Sequence, residues 1–409
     1  MLSPYVVTPA RSHLPTTHGC SRRLLHGDWN YRLPLLPLSA ACVGIRRILG
    51  RKTVPASLRA VATAAMPHAI FNSEGRLQRG IAGSKAPPEG RLYVPVYKGL
   101  SLVQPTTSGP EKFRPVLLKS DEISMLVESE SDSAIEACLG APTEGPLLDE
   151  ALNILGADVA APSFWLLDVS HLQCAPEASD LSWAGVFGAD AVWLPLRDGR
   201  SKRSLYDALT ADDFACLLAV ARGLGLWHRS TKFCSLCGGK TSPHRNGEQR
   251  QCNDCGARYR PRIDPSIIVL VSDGSRALLG RKSIWPKGRF STLAGFVEFG
   301  ETLEECLMRE VEEESGVIVR RDSIRFITSQ PWLFPRSLMV GFIAEAASTS
   351  ITVDEEEMEA VQWFEAKHVA QALHNTGVDE QLHLPSKASL ARTLIEHWLR
   401  EQGELDLVA

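Results

Sequence analysis

Between Glu298 and Glu314 stand eight carboxylates with a single cation, Arg309, among them. By composition alone such a run is a solvated helix face. Helical geometry reads it differently. At about 100° per residue, Leu303, Leu307 and Val311 form an apolar stripe, and Glu310, Glu313 and Glu314 border or overlap it, while Glu305 and Glu312 point away. Acids crowded beside a buried stripe repel one another unless a cation sits among them, and carboxylate oxygen is the preferred ligand of Mg²⁺ or Mn²⁺. A divalent-metal site is expected here.

A second metal set lies upstream. Cys234-Ser-Leu-Cys237 and Cys252-Asn-Asp-Cys255 are two C-x-x-C knuckles, each followed by glycine. Four thiolates at this spacing suit the tetrahedral geometry of Zn²⁺, and a site closed by four protein ligands leaves no open position, so the zinc is expected to be structural. The competing reading is a pair of dithiol redox motifs. The other six cysteines, Cys20, Cys42, Cys138, Cys174, Cys216 and Cys306, show no paired spacing and read as reduced, mostly buried residues.

The elements that must carry these groups follow from the pattern around them. Thr302 is the expected N-cap of the acidic helix, with Glu305 as its capping-box partner and Gly316 just past its end. Upstream, the runs 92–97, 116–118, 164–169 and 192–196 read as strands, and Thr210-Ala211-Asp212-Asp213 precedes a helix whose apolar residues run from Phe214 to Leu224. The body of the chain is acidic: residues 1–73 hold nine Lys or Arg and one acid, Asp28, leaving 35 basic against 47 acidic residues elsewhere. That balance disfavours non-specific nucleic-acid binding. No run reaches the length of a membrane-spanning helix. There is no Walker loop and no strand-embedded G-x-G-x-x-G, so a dinucleotide is not expected to bind through a Rossmann domain. His228, His244, His368, His374, His383 and His397 lack any partner spacing and read as surface or ordinary core residues.

The acidic stretch resembles the Nudix box, G-x5-E-x7-R-E-U-x-E-E-x-G-U with U apolar. It matches at Gly295, Glu301, Arg309, Glu310, Val311, Glu313, Glu314, Gly316 and Val317. The resemblance implies hydrolysis of a nucleoside diphosphate linked to another moiety. Glu310, Glu313 and Glu314 would hold the cations, Glu301 and Arg309 would brace loop and helix, and Glu313 is the first choice for the residue most essential to activity.

Further motifs narrow the family. Ser329-Gln330-Pro331-Trp332-Leu333-Phe334-Pro335-Arg336-Ser337 resembles the S-Q-P-W-P-F-P-x-S motif of NADH pyrophosphatases, which also carry the four-cysteine ribbon. Tyr259-Arg-Pro261-Arg262-Ile263-Asp264-Pro265 is similar to the same enzymes' strand entry, and the segment from Leu384 through Ala391 to their final helix. Leu333 replaces the motif's second proline, and Arg260 is an insertion. By this resemblance the substrate contacts fall on Ala294, Gln330, Pro331, Trp332, Leu333, Phe334, Pro335, Arg336, Ser337 and Ala391, and Glu357 of the Asp354-x-x-Glu357 pattern is a further metal ligand. Trp332 and Phe334 also offer aromatic faces for stacking a base or nicotinamide.

The expected fold class is α/β: a Nudix α/β/α sandwich over 262–402, preceded by a zinc ribbon over 229–261 and an N-terminal α+β domain over 90–228. The family implies metal-dependent hydrolysis of NADH to reduced nicotinamide mononucleotide and AMP, with Mg²⁺ or Mn²⁺ as catalytic ion, Zn²⁺ as structural ion, and a homodimer. Removal of NAD caps from RNA is the nearest alternative, and a non-catalytic nucleotide-sensing or scaffold protein is the alternative of another class. The Arg-rich, nearly acid-free residues 1–65 read as an organellar transit peptide for mitochondrion or chloroplast, or as a disordered extension, with cytoplasm or peroxisome as the alternative locations.

Overall fold

The five consecutive apolar residues Ile267 to Val271 are the centre of the catalytic half, because a strand buried on both faces needs no polar alternation. Ile267, Val269 and Val271 face one core together with Leu307 and Val311, while Ile268 and Leu270 face another with Leu394, Ile395 and Trp398. Helices therefore cover both sides of one sheet. In the computed structural model the described residues are 77–78, 88–107, 109–123, 135–142, 145–159, 162–171, 190–196, 205–209, 212–374 and 382–405. The N-terminal stretch 1–65, with its expected organelle address, lies outside them, as do Cys20, Cys42 and Cys174.

In the N-terminal region, β1 (Leu77–Gln78), β2 (Arg91–Tyr97), β3 (Leu100–Thr106), β4 (Gly109–Pro115), β5 (Leu118–Lys119), β6 (Ile135–Pro142), β7 (Ser163–Asp168) and β8 (Val192–Pro195) share one sheet. Its main order is β1-β6-β7-β2-β3-β4. The expected strand at 116–118 is reduced to β5, since β4 runs to Pro115 and only Leu118 of the run enters a ladder. Helix α1 (Gly145–Leu155) and the short α2 (Leu205–Ala208) lead to α3 (Asp212–Ser230), whose Leu217, Leu218 and Ala221 are buried in the core of this sheet.

The ribbon is β9 (Thr241–His244), β10 (Gln249–Cys252) and β11 (Arg258–Tyr259). Its β9–β10 turn is pinned to the N-terminal sheet, with Cys138 N–H donating to Asn246 O at 2.8 Å. Gly247, at φ 81°, is required there, since a Cβ would strike Ala137. Behind this turn His228 is fully buried: its Nε2 donates to Gly247 O at 2.9 Å and its Nδ1 accepts from Arg250 Nη1 at 3.1 Å. Burial, then the Arg250 charge, pushes this imidazole down to about 4. The folded state thus excludes a proton that the unfolded chain binds below its ordinary value near 6.5. We expect stability to be full above that value and to fall as pH drops from 6.5 toward 4. Urea unfolding across that range checks it, and a His228→Gln variant should flatten the slope.

The catalytic half is β12 (Asp264–Ser272), β13 (Arg276–Arg281), β14 (Leu293–Phe296), α4 (Leu303–Ser315), β15 (Arg325–Trp332), β16 (Ser337–Glu345), β17 (Ala360–Glu365), α5 (Ala366–His374) and α6 (Leu390–Glu401). Sheet order is β15-β16-β12-β13-β17, with β14 paired to β12 beyond β13. β12 runs parallel to β16 and antiparallel to β14, so α4 covers one face and α5 and α6 the other. Among the described residues no helix is long and apolar enough to cross a membrane.

Candidate active site

Helix α4 begins and ends as its sequence requires. Glu305 N–H donates to Thr302 Oγ1 at 3.2 Å, Thr302 N–H donates back to Glu305 at 2.9 Å, and Gly316 closes the helix at φ 69° with its N–H on Glu312 O. These caps fix where its acidic residues point.

Glu314 is the deepest of them, its side chain only 2% exposed. Lys282 Nζ lies 3.5 Å from its Oε1, and its Oε2 has no hydrogen-bond partner. Burial pushes this carboxyl up to about 7, against the pull of Lys282 and with the charges of Glu310 and Glu357 adding to the rise. Glu310 is also raised, first by burial, with Arg309 opposing and Glu313 and Glu357 adding to it. Its carboxylate lies against the α-carbon of Gly295, where any Cβ would collide with it, so the first glycine of the box is a cradle for that side chain. Glu313 stands on the rim with its side chain 57% exposed, and the buried crowding expected of all three acids holds for Glu310 and Glu314 only.

Arg309 is the hub of this cluster. It donates to both oxygens of Glu301 (Nε 2.6 Å, Nη2 3.0 Å), to Glu313 at 2.8 Å and to Phe296 O at 3.1 Å, and lies 3.1 Å from Glu310. Glu301 in turn accepts from Glu298 N–H at 2.9 Å, and the Arg309 hydrogen bonds hold it down at about 2. The clamp ties the loop before α4 to the helix itself.

A divalent cation fits this donor set. Lys282 engages one oxygen of Glu314 and leaves the other buried without a hydrogen-bond partner, and the donors are all hard oxygens. Glu357, exposed on the loop after Asp354, belongs to the same field, since its charge acts on both Glu310 and Glu314.

The hairpin of β15 and β16 brings up the second set of expected residues. Asp264 pairs with Ser337 and Ile267 with both Val340 and Gly295, so the hairpin and β14 flank β12 about two strand spacings, or ~10 Å, apart. The loop after β14 that carries Glu301 and the hairpin tip emerge from the same end of the sheet. At that tip Trp332 and Phe334 meet edge to face at 5.3 Å, and Arg336 Nε donates to Asp264 Oδ2 at 2.9 Å. Arg262 bonds the same carboxylate, and although burial would raise Asp264, these two guanidinium groups leave it lowered.

Several expected contacts are turned inward. Gln330 is 1% exposed and fully engaged: its amide nitrogen donates to Ala388 O at 3.0 Å and its oxygen accepts from Leu390 N–H at 2.8 Å. It anchors the start of α6 to the hairpin. Ser337 and Ala391 are buried too, Ala294 is half-buried, and Pro331 and Pro335 are exposed. Leu333 and Phe334 pack against the N-terminal core, so Phe334 is not a bare stacking face. Lys282 and Arg222 were absent from the expected set. The cue for Arg222 was a lone cation amid the apolar run of α3.

The ribbon thiols converge. All four Sγ atoms lie within 4.8 Å of one another, with Cys234–Cys255 at 3.6 Å and Cys237–Cys252 at 3.5 Å. A tetrahedron with Zn–S arms of about 2.3 Å has edges of about 3.8 Å, so the set fits Zn²⁺. Gly238 and Gly256, at φ 76° and 74°, turn each knuckle back on its first cysteine. The Tyr259 hydroxyl lies 3.0 Å from Cys234 Sγ and accepts from Ser235 N–H at 3.0 Å, and so belongs to the ribbon.

The sandwich, the capped carboxylate helix and its arginine clamp are those of a Nudix hydrolase domain, and residues 262–384 match the NUDIX domain. Residues 229–259 match the NADH pyrophosphatase zinc ribbon domain. The chain therefore carries a Nudix domain over 262–384, preceded by a zinc ribbon of the NADH pyrophosphatase type over 229–259. It is 41% identical over 196 residues to the NAD-capped RNA hydrolase NUDT12 of Homo sapiens, covering 46% of this chain and 42% of that protein. It is 42% identical over 191 residues to the NAD-capped RNA hydrolase NudC of Pseudomonas aeruginosa, covering 47% and 64%. With NudC of Mycobacterium bovis the figures are 42% over 193 residues, 46% and 61%. The match thus spans less than two thirds of each of these relatives.

Proposed function

We propose that the protein hydrolyses the pyrophosphate of NADH and related NAD-type dinucleotides, yielding reduced nicotinamide mononucleotide and AMP. The observation that carries this is the carboxylate cluster of half-buried Glu310 and buried Glu314, with its unpartnered oxygen, braced by a loop that leaves the sheet at the same end as the aromatic hairpin tip. That arrangement suits a pyrophosphate at the acids and a base or nicotinamide at the hairpin. Glu310, Glu313, Glu314 and Glu357 hold Mg²⁺ or Mn²⁺, and Cys234, Cys237, Cys252 and Cys255 hold Zn²⁺. The divalent ion supplies neutralisation of phosphate charge and Lewis-acid polarisation when bound.

The protein's own groups do the rest. Arg309, locked on Glu301, orients Glu313 at the solvent rim, where Glu313 takes a proton from the attacking water. The water oxygen adds to phosphorus and the bridging P–O bond breaks. Glu313→Gln is therefore expected to keep the fold and zinc content while lowering turnover of NADH at least about a hundredfold. Release of AMP, followed by chromatography with Mn²⁺ present, tests both the reaction and the role. Wild-type protein that binds NADH yet releases no AMP would establish the sensing reading instead.

A second reading, removal of NAD caps from RNA, is favoured by the similarity to proteins named NAD-capped RNA hydrolases. The same bond is cut, so the two differ in what lies beyond the adenosine. Parallel rates on free NADH and on NAD-capped RNA rank them. The organelle address of residues 1–65 and the homodimer remain proposals, resting on composition and on family resemblance respectively.

A further inference from the structure

Arg222 lies in α3, outside the NUDIX match, yet it reaches the hairpin tip of the catalytic half. Its Nη1 donates to Leu333 O at 3.0 Å, its Nε donates to Gly99 O at 3.1 Å in the β2–β3 turn, and its guanidinium carbon lies 5.2 Å from the centre of the Phe334 ring. The backbone of α3 lies close to the tip at the next residue as well: a Cβ on Gly223 would sit in van der Waals contact, 3.4 Å from Leu333 Cβ and 3.6 Å from Pro335 O.

The loop between β15 and β16 is four residues long, Leu333 to Arg336. Arg222 fixes its first residue and Asp264, through Arg336, its last. Phe334, stacked under Arg222, meets Trp332 edge to face, so the position of one ring sets that of the other. A planar guanidinium can hold two carbonyls in different directions while stacking on an aromatic ring, and a lysine cannot do all three.

We infer that Arg222 is a positioning residue, through which the N-terminal region sets the conformation of the Trp332–Arg336 hairpin tip and hence the affinity for the dinucleotide. The inference rests on the proposed hydrolysis of NADH at this site. It makes the nucleotide-binding surface incomplete in the Nudix half alone, since the tip is held from a different part of the chain. Arg222 has no role toward the metal ligands, whose hub is Arg309.

The test is steady-state kinetics of full-length wild-type, Arg222→Ala and Arg222→Lys proteins on NADH, with Mn²⁺ affinity by calorimetry and zinc content by absorption. KM is expected to rise about tenfold or more in Arg222→Ala, with kcat within about threefold and Mn²⁺ affinity and zinc unchanged. Arg222→Lys, which keeps the charge, should recover only part of the loss. Wild-type turnover with an unmoved KM in both variants overturns the inference, as does a joint loss of kcat and Mn²⁺ affinity in Arg222→Lys. Absence of NADH turnover in the wild-type protein would instead sink the proposed function, so the two failures are distinguishable.

Discussion

Glu314→Gln is expected to make the metal-free protein more stable while removing its hydrolytic activity. The side chain is buried with one oxygen unpartnered, and burial pushes its carboxyl up to about 7. Because the folded value is raised from 4.5, the stability that the protonated form contributes is present below that pH and is lost as pH rises through about 7. At pH 8 the ionised group then costs on the order of 3 kcal/mol, which a neutral isostere avoids. Chemical denaturation without metal should show the variant above wild type at pH 8 and equal to it below pH 4.5. Adding Mn²⁺ should stabilise wild type and leave the variant unmoved. If the variant keeps wild-type turnover and Mn²⁺ affinity, Glu314 is no ligand.

Stripping the zinc, by chelator or by Cys252→Ser, is the second large effect. Structural zinc sites contribute about 10–16 kcal/mol of apparent binding free energy, and a ribbon this short has little apolar core of its own. What it has is tethering: Cys138 to the Asn246 turn, His228 to Gly247 and Arg250, and Tyr259 to Cys234. Without the ion these tethers hold a segment that no longer has a fixed shape. Limited proteolysis should then cut between Cys234 and Tyr259, and NADH turnover should fall because the segment that joins α3 to β12 loses its shape. An unchanged digestion pattern in the stripped protein would show that the ribbon stands without zinc.

Local chemistry was legible in the sequence where it depends on spacing. The capping box of Thr302 and Glu305, the glycine after α4 and the convergence of the four cysteines follow from residue intervals alone. The apolar run Ile267 to Val271, buried on both faces, was not singled out in the sequence. What spacing does not carry is the identity of a distant partner. Gly295 marks a tight approach, but that the approaching group is Glu310 needs the fold. Gln330 was expected among the substrate contacts by family resemblance, and only the arrival of Ala388 and Leu390 shows both its ends engaged within the protein. Glu313 differs from Glu314 by a single residue, and the 100° between them separates rim from interior.

The amide of Gln330 carries one consequence further. It couples the hairpin to a segment 58 residues later, so synthesis that stopped short of Ala388 would release a chain with every acidic ligand of α4 present and the dinucleotide's seat unmoored. Such a chain also lacks α6, whose Leu394, Ile395 and Trp398 fill the core on one face of the sheet, so late nonsense lesions should cost the fold as well as recognition.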